Sequence, residues 1–168
     1  LELTDEALLA ATAKADRILN EIEAMVAKSS SYVNIAYTPT DLYRLKAEGK
    51  KAIMLGIENG YAIGKDLQNV ERFRNRGVVY MTLCHNGNNQ LCGSCRFNDE
   101  GLGVNAFGEE VIHEMNRVGM MVDISHAGDQ TFYDALAIST KPIVASHSSS
   151  RALCNHPRNL TDEQLKAL

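Results

Sequence analysis

The chain has 168 residues, a formal net charge of −4 and a hydrophobic fraction of 45%. This is enough chain for one domain with its own hydrophobic core. The absence of a basic stripe argues against a nucleic-acid partner, and no apolar run approaches the ~20 residues that span a bilayer.

The N-terminus does not have the basic segment and apolar core of a signal peptide. Its first residue is Leu1 rather than Met, so the sequence is compatible with a targeting segment that has been removed. We expect a soluble domain, and both a cytoplasmic and an exported location are compatible with the sequence.

Helical and extended runs alternate along the chain. Residues 4–28 have apolar residues at helical spacing, with Thr4 as the predicted N-cap. Later runs predict helices at 40–47, 66–75, 107–117 and 129–138, and Thr161 is predicted to cap a final one. Short apolar runs predict strands at 32–36, 51–57, 78–83, 120–124 and 142–145. Such alternation predicts an α/β fold with a parallel sheet and outer helices.

Four successive predicted strands end in a polar residue: Glu58, His85, His126 and His147. One histidine at a strand end is more often a hydrogen-bonded structural residue than a metal ligand. Repetition at the edge where α/β folds place their chemistry favours a shared site. We therefore predict part of a (β/α) barrel, with these side chains at its mouth.

These residues suit a metal centre. Glu58, His126 and His147 supply one carboxylate and two imidazoles, a ligand set suited to zinc. The two oxygens of Glu58 could bridge two ions, although the second ion would need further ligands. His85 could donate to the oxyanion of a tetrahedral intermediate.

Other residues near this edge have two interpretations each. Asp123 is either an orienter of a ligand or an ordinary buried, hydrogen-bonded residue. Arg158 lies in the polar loop after the last strand, where its guanidinium could bind a substrate carboxylate. On sequence alone a surface arginine is the commoner explanation, and Arg151 and His156 are interpreted as surface residues.

The four cysteines lie at positions 84, 92, 95 and 154. Cys92 and Cys95 form a C-x-x-C pair inside a long polar loop, 86–105. No second pair stands at zinc-finger spacing. A local disulfide or two free thiols is therefore the expected state.

From about residue 31 to residue 168, the sequence resembles the membrane dipeptidase (renal dipeptidase) family of zinc peptidases. The resemblance rests on six motifs in order: Gly56-Ile57-Glu58-Asn59-Gly60, Thr82-Leu83-Cys84-His85-Asn86, Glu114-Met115-Asn116-Arg117-Val118-Gly119-Met120, Val122-Asp123-Ile124-Ser125-His126, Ser146-His147-Ser148 and Arg158-Asn159.

The resemblance implies a TIM-like (β/α)8 barrel with a two-zinc centre that hydrolyses dipeptides by means of a metal-activated bridging water. It implies that Glu58 bridges the zinc ions and that His126 and His147 ligate one of them. It also implies that His85 contacts the substrate and the intermediate, and that Arg158 holds the C-terminal carboxylate of the substrate.

Two parts of the family pattern do not occur in these residues: a His-x-Asp pair on the first strand and an Asp on the last. We therefore expect residues 1–168 to form a single partial domain, about the middle half of the barrel. Because half a barrel has unpaired strand edges, we expect this segment alone to aggregate or form a homodimer. We also expect it to bind at most one zinc and to have little activity.

Two alternatives remain. One is another metal-dependent barrel amidohydrolase that acts on cyclic amides. Such enzymes typically use a carboxylated lysine or a lone ion, and no lysine ends a strand here. The other is a metal-free binding relic of the fold.

Overall fold

The computed structural model describes residues 1–168. It opens with helix α1, Asp5–Lys28, where the Thr4 hydroxyl accepts the backbone N–H of Ala7 as predicted. The later helices are α2 Pro39–Ala47, α3 Gln68–Asn75, α4 Ala106–Val118, α5 Asp129–Ile138 and α6 Asp162–Ala167. All six predicted helices are present, with ends shifted by at most two residues.

Five strands form two groups, and the strands within each group pair in parallel. They are β1 Val33–Ile35, β2 Lys51–Ile53, β3 Leu55–Glu58, β4 Val78–Thr82 and β5 Met121–Asp123. β1 pairs with β2, and β3, β4 and β5 pair in that order. The predicted α/β class, with parallel strands and outer helices, is confirmed.

Two strand predictions were wrong in detail. The run 51–57 forms two strands separated at Met54, because its first half pairs with β1 and its second half with β4. The run 142–145 forms an isolated bridge between Asp123 and Val144 in place of a strand. Pro142 lacks the N–H that would extend this ladder.

The hydrophobic core lies between the strands and helices α3, α4 and α5. Side chains from β3, β4 and β5 pack in one cluster with side chains from these helices: Ile57, Met81, Val122, Phe73, Ile112, Met115 and Phe132. Along β3 the buried residues Leu55 and Ile57 alternate with the exposed residues Gly56 and Glu58. Because side chains alternate across a strand, packing the core turns Glu58 to the opposite face.

Loop 86–105 is well tied to the rest of the fold and contains a 3-10 segment, Cys95–Glu100. The buried Asn89 accepts the N–H groups of Leu91 and Cys92 and donates to the carbonyl of Leu83.

All four cysteines are free thiols, which settles the choice left open by the C-x-x-C pair. None of the helices combines the length and apolar character that crossing a bilayer requires.

We predict that Gly108→Ala destabilises the protein even though alanine favours helices. A Cβ at Gly108 would press against the backbone carbonyl of Leu91, which loop 86–105 cannot move freely. The free energy of unfolding should fall by about 1 kcal/mol or more, as for other overpacked sites. Chemical denaturation measures it. Glu110→Ala, at an exposed position of the same helix, is the control and should change little; equal effects of the two substitutions would contradict the steric argument.

Candidate metal centre

Three side chains converge where strand ends meet. The Nε2 atoms of His126 and His147 are 3.0 Å apart. Glu58 Oε1 lies 3.1 Å from Nε2 of His147 and 3.2 Å from Nε2 of His126. The three donor atoms therefore form a nearly equilateral triangle.

This triangle has the size that a zinc ion requires. With ligand bonds of about 2.0–2.1 Å, tetrahedral coordination places donors about 3.3 Å apart, close to the observed separations. Glu58 Oε2 makes no hydrogen bond within the chain, so the second oxygen of this carboxylate is available to another ligand. The residues present fit a metal of the zinc type.

His126 is fixed in an unusual backbone conformation. Its φ of 69° lies in the left-handed region that most residues avoid, and such outliers cluster at functional sites. Its carbonyl accepts the N–H of Cys95 at 2.8 Å, which ties it to loop 86–105. Burial, and then the positive charges of Arg158 and the neighbouring histidines, lower the pKa of His126 to about 4. The ring is therefore neutral near pH 7, the form that binds metals.

His147 is oriented through a buried carboxylate. Its Nδ1 lies 2.7 Å from the Ser146 hydroxyl, which donates to Asp123 at 2.6 Å. Because that hydroxyl proton is committed to Asp123, the Ser146 oxygen accepts a proton from Nδ1. The lone pair of His147 is then on Nε2, which faces the triangle.

Asp123 is completely buried, yet it is charged. Burial alone would raise its pKa, but hydrogen bonds from Ser146, Thr82 and Ser125 outweigh burial and lower the pKa below its usual value. Asp123 contacts no imidazole directly. It is therefore a buried, hydrogen-bonded residue that orients His147 through Ser146, so both interpretations of the sequence describe part of its environment.

His85 lies beside the triangle. Its Nε2 is 3.6 Å from Glu58 Oε1, too far for a hydrogen bond, and its ring centroid is 4.3 Å from that of His126. Its side chain is 38% exposed. The ring is thus free to contact a molecule that enters the mouth.

Arg158 reaches the same centre from the loop after the last strand. Its Nη2 donates to the carbonyl of His147 at 3.0 Å, while Nη1 is buried without a hydrogen-bond partner. This is not the free surface arginine that the sequence alone favoured. The fold brings all five predicted site residues together: Glu58, His85, His126, His147 and Arg158.

A second cluster, which sequence reasoning missed, holds the loop that carries Arg158. Arg151 makes a bidentate pair with Asp129, at 2.9 and 3.2 Å. Its Nε also donates to the carbonyl of Asn159, and a longer contact of 3.4 Å reaches the carbonyl of Pro157. Arg151 therefore grips the backbone on both sides of Arg158. The prediction that Arg151 is an ordinary surface residue was wrong, since its side chain is only 22% exposed and is paired with Asp129. The spacing of these two residues forms no sequence motif that could have revealed the pair.

Asp129 joins further segments to this cluster. Asn98, in the 3-10 segment, donates to it at 2.8 Å, and Gln164, in α6, donates at 3.1 Å. The hydrogen bond from Arg151 is the main cause of the lowered pKa of Asp129.

We predict that Asp129→Asn lowers the free energy of unfolding at pH 7 by about 1 kcal/mol, a value that allows for partial exposure of the pair. Because the folded-state pKa of Asp129 is lowered, its stabilising effect is present above its ordinary pKa and is lost as the pH falls through the folded value. Thermal unfolding at several pH values should show the difference between variant and parent shrinking below about pH 4. Asp99→Asn, at an exposed and unpaired site, is the control; a difference independent of pH would contradict the charge argument.

Comparison with known proteins gives a consistent picture. Residues 4–168 match the family model described as membrane dipeptidase, peptidase family M19. An uncharacterised dipeptidase of Schizosaccharomyces pombe is 41% identical over 123 residues, which is 71% of this chain and 30% of that protein.

Solved structures agree with this match. The probable dipeptidase PvdM of Pseudomonas aeruginosa superposes with a TM-score of 0.83 at 34% identity, covering 89% of this chain and 39% of that one. A metallopeptidase of Rhodobacter sphaeroides, solved with a phosphinate mimic of the dipeptide L-Ala-D-Ala, has a TM-score of 0.82 at 27% identity. It covers 88% of this chain and 44% of that one. The chain thus spans about a third of the curated relative and less than half of each solved structure, and its fold is part of a TIM-like barrel.

Proposed function

The chain belongs to the membrane dipeptidase family, peptidase family M19, and we propose that the protein carrying it is a zinc-dependent dipeptidase. The observation that carries the proposal is the triangle of Glu58, His126 and His147, whose donor atoms are 3.0–3.2 Å apart. A carboxylate and two imidazoles at this separation suit zinc better than calcium or magnesium, which prefer oxygen ligands.

In this proposal Glu58, His126 and His147 would hold one zinc ion, and the free oxygen of Glu58 would be available to bridge to a second. The second ion would take its other ligands from outside these residues. When bound, such ions would supply Lewis-acid polarisation of a carbonyl and a metal-activated bridging water as nucleophile near neutral pH. The predicted ligand roles of all three residues rest on this geometry and on the family resemblance.

The remaining residues bind and orient the dipeptide. The buried, unpaired Nη1 of Arg158 is a donor for the C-terminal carboxylate of the substrate, and the contact of Nη2 with the carbonyl of His147 keeps the guanidinium beside the centre. His85, beside Glu58 and partly exposed, contacts the substrate and donates to the oxyanion that forms at the scissile carbonyl. Asp123, acting through Ser146, keeps the proton of His147 on Nδ1.

Glu58→Gln should abolish turnover and lower zinc content without unfolding the protein, because an amide is a poor metal ligand. We expect a loss of at least a thousandfold in kcat on L-Ala-L-Ala, with zinc counted by elemental analysis. The control is Glu48→Gln, a surface glutamate at the C-cap of α2 that pairs with Arg44. If Glu58→Gln keeps activity within about tenfold, which is ~1.4 kcal/mol of barrier, Glu58 does not bridge the metals.

Arg158→Ala should act on substrate binding. Because a charge-assisted hydrogen bond is lost, KM for a dipeptide should rise about tenfold or more, whereas KM for the corresponding dipeptide amide, which lacks the carboxylate, should stay the same. Arg158→Lys, which keeps the charge but not the fork, should fall between the two. An unchanged KM for the free dipeptide would remove Arg158 from the site.

A further inference from the structure

A basic cavity adjoins the candidate metal centre. Its volume is about 290 Å³ and its lining consists of Asn86, Cys95, Arg96, His156, Pro157 and Arg158. Asn86 follows His85 directly, and Arg158 donates to the backbone carbonyl of His147, so two lining residues of the cavity adjoin residues of the candidate centre. Two of its six lining residues are arginines, and none is acidic.

The positive charge in this cavity is not neutralised within the chain. The guanidinium of Arg96 forms no salt bridge or hydrogen bond, although Asp99 and Glu100 follow it closely in the sequence; Glu100 pairs with Asn88 instead. The Nη1 of Arg158 is buried and unpaired.

The imidazole of His156 adds a further donor. Its Nδ1 accepts the backbone N–H of Arg158 at 3.1 Å, which puts the ring proton on Nε2 in the neutral form. That Nε2–H forms no hydrogen bond within the chain. The cavity thus offers separate donors on Arg96, Arg158 and His156, more than one carboxylate requires.

We propose that this cavity selects dipeptides with an acidic C-terminal residue: Arg158 binds the main-chain carboxylate, and Arg96, with His156, binds the side-chain carboxylate of Asp or Glu. The proposal rests on the function proposed above and adds a specificity-determining residue, Arg96. One guanidinium is occupied by the terminus that every dipeptide has, so the second carries the selection. A neutral side chain of equal size would leave the charge of Arg96 without a partner.

The test compares kcat/KM for Ala-Glu and Ala-Gln, each in both configurations of the C-terminal residue, using the metal-loaded protein that carries this chain. These two substrates have nearly the same shape and differ in one charge. We expect Ala-Glu to be preferred about tenfold or more. Arg96→Gln should reduce that preference about tenfold, and Arg96→Glu should invert it in favour of Ala-Lys.

The control is Arg17→Gln, an exposed arginine of α1 outside the site, which should keep the parent's preference. Hydrolysis of both substrates at equal rates, or a preference that Arg96→Gln does not alter, would overturn the selectivity and leave the dipeptidase proposal standing. Failure to hydrolyse any dipeptide would instead overturn the proposed function and this inference with it.

Discussion

The candidate metal centre depends on holding three electron-pair donors within about 3 Å of one another, although electron-pair donors do not attract one another. Glu58 and the rings of His126 and His147 form a set that only a cation or a proton can satisfy fully. The donors are held there because Glu58 ends β3, His126 follows β5 and His147 follows the segment that bridges to β5 through Val144, and because the core decides which way each segment faces. The site is thus a by-product of packing the helices against the opposite face of β3, β4 and β5.

Around this centre, buried polar groups fix the orientation of the site residues. Asp123 is buried and charged because four hydrogen bonds compensate it, and through Ser146 it determines which nitrogen of His147 is free. Asp129 and Arg151 do the same at a larger scale, since they fix the backbone around Arg158. Neither carboxylate, that of Asp123 or that of Asp129, contacts the donor triangle directly. The separation lets a rigid support surround a centre whose own atoms stay available to ligands.

The sequence was sufficient to predict the α/β class, the helices and the residues that meet at the mouth. Strand-end positions such as Glu58 and His126 follow from hydrophobic periodicity alone, because the carboxyl ends of parallel strands share an edge. Periodicity could not predict that 51–57 divides at Met54 or that 142–145 pairs only through Val144, since these depend on what each neighbour offers. The pairing of Asp129 with Arg151 was likewise invisible, because two residues 22 positions apart meet through the folding of an irregular loop.

The donors of the candidate metal centre are far apart along the chain: Glu58 and His147 are separated by 89 positions. Bringing such distant residues together has a cost in chain entropy that rises with the length of the loop between them. Any single donor offers a metal only one bond, so capture must wait until the intervening strands and helices have docked. A metal ion held by these donors would therefore be captured late in folding. It would act as a non-covalent cross-link between remote parts of the chain and would shift the equilibrium towards the native state by mass action.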